Sequence, residues 1–426
     1  MKDFYLKPEI FSAMKNYSKE QFIKDIIAGI IVAIIALPLS IALALASGVN
    51  DPACGVYTAI AAGFVVSLLG GSRIQIAGPT AAFATTVASI IATQGMDGLF
   101  IATVMAGIML IIMGVLKLGS LIRFIPHSIT VGFTSGIAVT ILIGQIKDFL
   151  GLSYADGIKP IEAFEKLEAN IHAISTFNLQ ALIVGVVCLA ILILYPKFEK
   201  KIPPSLIAVF AGILMVKFIP GLDKVFTIGD LYDIKPGLPS VNFAGMDFST
   251  AKIVAVLPSA FTIAILAAIE SLLSCVVADG MVNSKHNSNA ELVAQGAGNI
   301  ASVLFGGIPA TGAIARTAAN AKNGGRTPIA GMVHAVVLFM VLLFLMPYAK
   351  LIPMPTIAAI LFMVAYNMSE WRKFLTVVKK NPVTDIIVLV TTFVFTIVFD
   401  LVVAIGVGLA LAGVLFKFKK DRKVSQ

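Results

Sequence analysis

Fourteen apolar segments follow one another along this chain, from residues 22–46 to residues 401–416, with Gly, Pro, Asn, Asp or Lys marking each break. Their centres lie near Ile35, Ala62, Thr85, Gly107, Gly136, Val187, Phe210, Leu266, Ala297, Ala315, Leu338, Ala359, Leu389 and Leu409. In hydrocarbon every backbone N–H and C=O must be paired within the protein, so runs of this kind read as spanning helices of about 20 residues. Composition agrees: 58% of the 426 residues are hydrophobic and 13% charged, too little charge for the surface of a soluble globule. Alternating strand-like segments are not apparent, which argues against a barrel.

The net charge of +9 would suggest nucleic acid in a soluble protein, but here the basic residues collect in short connections and at both ends. Retention of cytoplasmic loops accounts for that better, and no nucleic-acid partner is expected. The first twenty residues are charged and lack a signal-peptide core, so the chain is expected to start inside and insert by its own helices. The even-numbered connections (70–73, 117–123, 197–201, 284–289, 322–326 and 372–380) and the terminal KFKKDRK run then fall in the cytoplasm. The long connection 147–172 carries Asp148, Asp156, Glu162, Glu165 and Glu168 and falls outside. An inner-membrane protein with an even number of spans and both termini inside satisfies the positive-inside rule. The chain divides into a cytoplasmic segment (1–21), a first seven-helix repeat (22–218), an outer connection (219–250), a second repeat (251–417) and a basic tail (418–426).

Two segments differ from the rest. LLGGSRIQIAGPTAAFATTVASI (68–90) and LFGGIPATGAIARTAANAKNGG (304–325) each place Gly-Gly after an apolar helix, then a few extended residues, then a small-residue helix of three to four turns. In the topology above the first starts on the cytoplasmic side and the second on the outer side. Extended segments that enter from opposite faces and continue as half-helices are the pattern of inverted-repeat transporters. The expected fold is therefore all-α and polytopic, with fourteen transmembrane segments in two inverted seven-helix repeats and short strands leading into half-helices three and ten.

Each half-helix would start near mid-membrane with unpaired N–H groups, around Pro79, Thr80 and Ala81 in one and Gly312, Ala313 and Ile314 in the other, with Ala315 next. Two positive dipole ends facing one another suit an anion. Proline at position 79 fits a first helical turn, where its missing N–H costs nothing. Arg316, one turn into the second half-helix, needs an anionic partner or water. It reads either as the attractor of a substrate anion or as a buried partner of Glu270 or a snorkelling side chain. Glu270 stands within an apolar helix, LPSAFTIAILAAIESLLSCVVADGM. A desolvated carboxylate favours its neutral form unless a cation compensates. Glu270 thus suits a coupling proton or Na⁺, with Ser274 one turn later on the same face, or else a structural hydrogen bond or ion pair. Pro38 interrupts the first helix; it is either a kink or a sign that Ser40 and Leu43 line the cavity.

Other candidates are weaker. His127, His172, His286 and His334 lack ligand spacing, and Cys54, Cys188 and Cys275 are scattered in or beside apolar runs, so no metal or other cofactor is expected beyond a coupling ion. Asp400 reads as a cap or turn residue between the last two helices. The NGGRTP run (323–328) reads as a cytoplasmic turn.

At these residues the sequence resembles the SulP family of sulfate permeases, bacterial bicarbonate and dicarboxylate carriers, and mammalian anion exchangers that include prestin. The pieces that carry the resemblance are LPLSIALALASGV, GGSRIQIAGPTAAF, AIESLLSCVVADG, GGIPATGAIARTAANAKNGGRTPIAG and the final TDIIVLVTTFVFTIVFDLVVAIGVGLALA, and it runs over essentially the whole chain. It implies a core domain moving against a gate domain in an elevator-like cycle, with the site between the half-helices at Thr80 and Arg316 and the carboxylate at Glu270. Na⁺-using members carry aspartate and threonine in place of Glu270 and Ser274 and lack the arginine, so Glu270 with Arg316 is more similar to proton-coupled bacterial members. Prestin-like members place bulky or amide side chains at Leu39, Leu43 and Thr80, so the pocket here is expected to differ in shape. The family usually continues into a cytoplasmic STAS domain, so the resemblance covers the transmembrane part. A homodimer is expected.

The leading expectation is an H⁺-coupled symporter of small anions such as sulfate, bicarbonate or dicarboxylates. The alternatives are a Na⁺-coupled bicarbonate symporter, and an exchanger or channel on the same fold. A membrane enzyme is disfavoured by the lack of clustered His or carboxylates, and a nucleobase carrier by Arg316.

Overall fold

The computed structural model describes residues 6–120, 126–158, 160–199, 202–232, 247–380, 382–399 and 401–424; Asp400 lies outside the described residues. In chain order the α-helices are α1 (Ile10–Ala13), α2 (Lys19–Ala46), α3 (Ala53–Leu69), α4 (Ala84–Val115), α5 (His127–Leu150), α6 (Ala163–His172), α7 (Leu179–Phe198), α8 (Pro204–Phe218), α9 (Ile228–Leu231), α10 (Thr250–Val282), α11 (Ser288–Leu304), α12 (Ile314–Lys322), α13 (Ile329–Phe344), α14 (Met354–Met368), α15 (Trp371–Lys380), α16 (Val383–Val398) and α17 (Leu401–Val424). Two short strands, β1 (Ala77–Gly78) and β2 (Thr311–Gly312), precede the two half-helices.

Each of the fourteen apolar segments falls on a helix. The third and fourth share α4, which bends at Gly95, whose φ of 74° and ψ of −179° leave the helical path. Only glycine reaches such a conformation at little cost. Among the described residues, five stretches are long and apolar enough to cross a bilayer unaided: Lys19–Ala46, Ala81–Val115, His127–Leu150, Leu179–Phe198 and Thr250–Val282.

The packing divides the helices into two bundles. In the core, α2 and α3 pack on α13, α11 packs on both α3 and α4, and α10 packs on α4 and α12. In the gate, α5 packs on α14 and α16, α14 on α7, α7 on α8, and α16 on α17. Each contact has a counterpart in the other half of the chain. The first segment meets the eleventh as the eighth meets the fourth; the sixth meets the seventh as the thirteenth meets the fourteenth. That reciprocity is the signature of two inverted repeats wrapped around one another.

Small residues allow the close approaches. Gly55 of α3 lies against the backbone of α2: a Cβ there would sit 1.9 Å from the carbonyl oxygen of Ser40. No shift of a flexible side chain relieves a clash with backbone. Gly55→Ala is therefore expected to destabilise the fold by roughly 1–3 kcal/mol through overpacking, seen as a lower melting temperature of the purified protein; an unchanged melting temperature would show that the two helices can separate freely.

Candidate functional site

The site forms where the two broken segments meet. β1 and β2 pair antiparallel, Ala77 with Gly312 and Gly78 with Thr311, so the two half-helices leave a common point inside the core in opposite directions. Four residues of pairing leave most of the extended backbone to be satisfied otherwise, since an unpaired buried amide is costly. Buried side chains fill that need. In the first stretch the Gly71 N–H donates to Glu291 Oε2 at 3.0 Å, the Ile76 N–H donates to Thr317 Oγ1 at 3.0 Å, and the Ile74 carbonyl accepts from Asn320 Nδ2 at 2.9 Å. In the second, Asn299 holds both the N–H and the carbonyl of Ala310 at 2.9 Å, and Ile308 N–H donates to Thr58 Oγ1 at 2.7 Å.

Thr80 is the N-cap of the first half-helix, which opens as a tight turn over Ala81–Phe83 before α4. Ala313 is the N-cap of the second, with no side chain capping either end. The free donors differ in part from the sequence expectation. Gly312 N–H donates to Ser271 Oγ at 3.0 Å and Ala313 N–H to the Ile76 carbonyl at 2.8 Å, so strand pairing and α10 consume both. By helix geometry the N–H groups at the start of α12, Ile314 and Ala315 among them, and those of Ala81 and Ala82 in the first half-helix have no partner within their own helix.

Glu270 joins the two halves. Its Oε2 accepts from Thr80 Oγ1 at 2.9 Å and from Thr311 Oγ1 at 3.0 Å, so one carboxylate oxygen on α10 ties together the entries of both half-helices. Ser274, one turn further along α10, donates to Thr317 Oγ1 at 3.3 Å. Helical spacing does place Ser274 on the Glu270 face, but at its level the neighbour is α12 rather than the strands. Thr311 was missed by the sequence reading; its signal is the recurrence of proline and threonine just ahead of each half-helix, Pro79-Thr80 and Pro309-Ala310-Thr311.

Arg316 is 1% exposed and neither snorkels nor forms an ion pair with Glu270 among the described residues. Its Nη2 donates to the Pro79 carbonyl at 2.5 Å, linking the second half-helix to the threshold of the first. Nε and Nη1 have no hydrogen-bond partner among the described residues. Gly78 makes room for this guanidinium: a Cβ on it would lie 2.3 Å from Nη1. The result is a buried cation with open donors, set among the positive ends of two helices. Ser40 is fully buried with its hydroxyl unpaired two residues past Pro38, and Leu43 belongs to the same apolar cluster as Ala81, Ala82 and Phe83.

His286 Nδ1 lies 2.7 Å from Asp279 Oδ2 and its Nε2 lies 2.9 Å from Ser288 Oγ, which orders the α10–α11 turn. His334 is fully buried in α13, close to Gly63. The three cysteines are free and buried, and among the described residues no group of three or more His, Cys, Asp or Glu could hold a metal ion.

Residues 22–392 match the family described as Sulfate permease family. The chain belongs to that family. It is an anion transporter of the permease type, not an enzyme. Among curated relatives, a putative sulfate transporter, YvdB of Bacillus subtilis (strain 168), is 44% identical over 409 residues, covering 94% of this chain and 75% of the relative. The bicarbonate transporter BicA of Picosynechococcus sp. is 34% identical over 404 residues, covering 92% and 69%. Among solved structures, the transmembrane domain of a cyanobacterial bicarbonate transporter BicA superposes with a TM-score of 0.80 at 29% identity, covering 93% of this chain and 98% of that one. The murine Slc26a9 anion transporter in the inward-facing state shares the fold, with a TM-score of 0.85 at 18% identity over 97% of this chain and 71% of that one.

In this permease the far ends of the half-helices are held by two related clamps. Asp25, fully buried near the start of α2, accepts from Arg326 N–H at 2.8 Å, Thr327 Oγ1 at 2.6 Å, Gln21 Nε2 at 3.0 Å and Tyr17 Oη at 2.9 Å, and so fixes the turn that follows α12. At the start of α10, Lys252 Nζ donates to the Gln94 carbonyl at 2.6 Å and lies 3.6 Å from Asp97, fixing the bend that follows the first half-helix. Each cavity helix thus anchors the half-helix of the opposite repeat, once through an anion and once through a cation. Asp25→Ala is expected to cost about 2–3 kcal/mol by leaving several donors unpaired and to speed amide exchange at Arg326 and Thr327. Protection unchanged at those two amides would remove the clamp assignment.

Proposed function

We propose that this chain is a secondary active transporter of sulfate, bicarbonate or a dicarboxylate, coupled to H⁺ and working by movement of the core against the gate. One observation carries the anion site: a fully buried Arg316 guanidinium with two nitrogens free of partners, beside the open N–H groups of two half-helices. Each helix end contributes about half a positive charge and the guanidinium a whole one, a field that favours one or two negative charges and penalises a neutral substrate. The relatives named as sulfate and bicarbonate transporters support the same class of substrate. The basic even-numbered connections support cytoplasmic termini in a cell membrane, and a homodimer is the assembly we propose.

Glu270 supplies the coupling step. As a carboxylate it accepts from Thr80 and Thr311 and holds both half-helix entries on α10. Taking up a proton removes the negative charge closest to the anion-binding end of the first half-helix. Repulsion between carboxylate and substrate then falls, so proton and anion load together. Release of the anion and then of the proton to the other side restores the carboxylate and its grip on the two threonines. The electrostatic logic needs no ion pair with Arg316, whose free donors remain for the substrate.

Uptake of labelled sulfate, bicarbonate and a C4-dicarboxylate into proteoliposomes, with imposed pH or Na⁺ gradients, separates the alternatives. Acid outside should drive accumulation of at least one of these anions, whereas conductance independent of any gradient would sink the carrier reading. Glu270→Gln is expected to lose the response to the pH gradient yet still exchange anion for anion; uphill uptake as before would refute proton coupling at this residue. Arg316→Ala should weaken dianion binding roughly 30-fold, about 2 kcal/mol, the scale for removing one member of a buried charge contact. An unchanged affinity would reduce Arg316 to its bond with the Pro79 carbonyl.

A further inference from the structure

α15 joins α14 to α16 and takes no part in the site. Its sequence, WRKFLTVVKK, divides into three faces at about 100° per residue. Phe374 and Val377 face the gate: Val377 is 4% exposed and clusters with Val131 of α5 and Leu389 of α16, and the Phe374 ring stands 5.3 Å from that of Phe393 at 67°. Trp371, Leu375 and Val378 form a second, apolar face that is 43%, 42% and 38% exposed. Arg372, Lys379 and Lys380 are exposed along the third, flanked by Thr376 and Lys373. Lys373 pairs with Glu370 at 2.6 Å, but among the described residues no carboxylate lies within ion-pair distance of Arg372, Lys379 or Lys380.

The helix therefore docks to the gate through two residues and turns an apolar strip and a basic strip, side by side, away from the protein. Because it lies where α14 ends and α16 begins, it meets one membrane surface whichever way the bundle is oriented. A helix with Trp and aliphatic residues on one side and uncompensated Arg and Lys on the other matches the boundary between acyl chains and anionic headgroups. Arg372 also stacks on the Trp371 ring, its guanidinium carbon 5.3 Å from the ring centre, which holds one of the cations at the depth where that indole sits.

We propose that α15 is a binding site for anionic phospholipid: Arg372, Lys379 and Lys380 take the headgroup phosphates while Trp371, Leu375 and Val378 lie among the upper acyl chains. The consequence is mechanical. Phe374 and Val377 transmit that anchorage to α5 and α16, so the gate is pinned to the headgroup layer and the core, with its substrate, is the part left free to move.

The test uses the full chain in micelles containing equal phosphatidylglycerol and phosphatidylcholine, with retained lipids counted by native mass spectrometry. The wild type should keep phosphatidylglycerol in preference to phosphatidylcholine. The triple variant Arg372→Gln, Lys379→Gln, Lys380→Gln should lose that preference by roughly 100-fold, since each basic residue at an anionic surface contributes on the order of a fivefold effect. Replacing both lysines by arginine should preserve it. A control triple, Lys15→Gln, Lys19→Gln and Lys285→Gln, removes the same charge from other exposed positions; an equal loss there would show a diffuse charge effect and overturn the site. Displacement of the lipid by millimolar inorganic phosphate would assign the basic strip to free anions and also overturn it. If the α15 triple leaves lipid retention intact but changes the mass measured by light scattering, the face belongs to a second copy of the chain and the proposal falls.

Discussion

Four residues of strand pairing, Ala77 and Gly78 against Thr311 and Gly312, hold the permease core together. They bring two half-helices from opposite repeats to a single point within the bundle. Everything polar around them follows from the need to satisfy backbone that neither helix nor sheet can satisfy at that depth. Asn299 reproduces a peptide's own donor and acceptor for Ala310; Thr317 and Asn320, on one face of α12, serve Ile76 and Ile74 of the other repeat. Such a site cannot be built from one half alone, because each repeat supplies the partners the other lacks.

The same economy produces the charge arrangement. Arg316 and Glu270 are both buried, yet they do not neutralise each other. One oxygen of Glu270 accepts from two threonine hydroxyls, one from each repeat, and Arg316 spends one nitrogen on the Pro79 carbonyl. A direct ion pair would have closed both groups to any third species. Keeping them apart leaves a cation with open donors and a carboxylate that no cation neutralises among the described residues. The clamps at Asp25 and Lys252 hold the far ends of the half-helices, so the two positive termini stay aimed at one place.

Much of this was legible along the chain because charge and glycine are conspicuous in apolar sequence. Glu270 and Arg316 stand out as ionisable residues inside hydrophobic runs, and Gly-Gly followed by extended residues marks each broken segment. Partner choice was less legible. Ser274 lies one turn from Glu270 and so shares its helical face, but which group sits opposite each turn depends on the element packed there. At the height of Glu270 these are the strand entries with Thr80 and Thr311; one turn on it is Thr317. Gly312 and Ala313 were expected to offer free N–H groups for a similar reason: a half-helix start predicts open donors, and only the neighbouring strand and Ser271 reveal that these two are taken.

By itself the sequence determined the solvent, the class and the plan: fourteen apolar segments demand lipid, and two interrupted ones facing opposite ways demand an inverted repeat. Those properties are local or periodic, written in hydropathy and in the punctuation of Gly and Pro. Only the tertiary structure decided which N–H groups remain open, which hydroxyls hold Glu270, and that Arg316 and Glu270 are not paired. It also decided that Asp25 and Lys252 brace opposite half-helices and that α15 turns its basic face away from the protein. These depend on contacts between different elements, from 41 positions apart for Glu270 and Thr311 to 301 for Asp25 and Arg326, and spacing along a chain carries no record of what lies across from it.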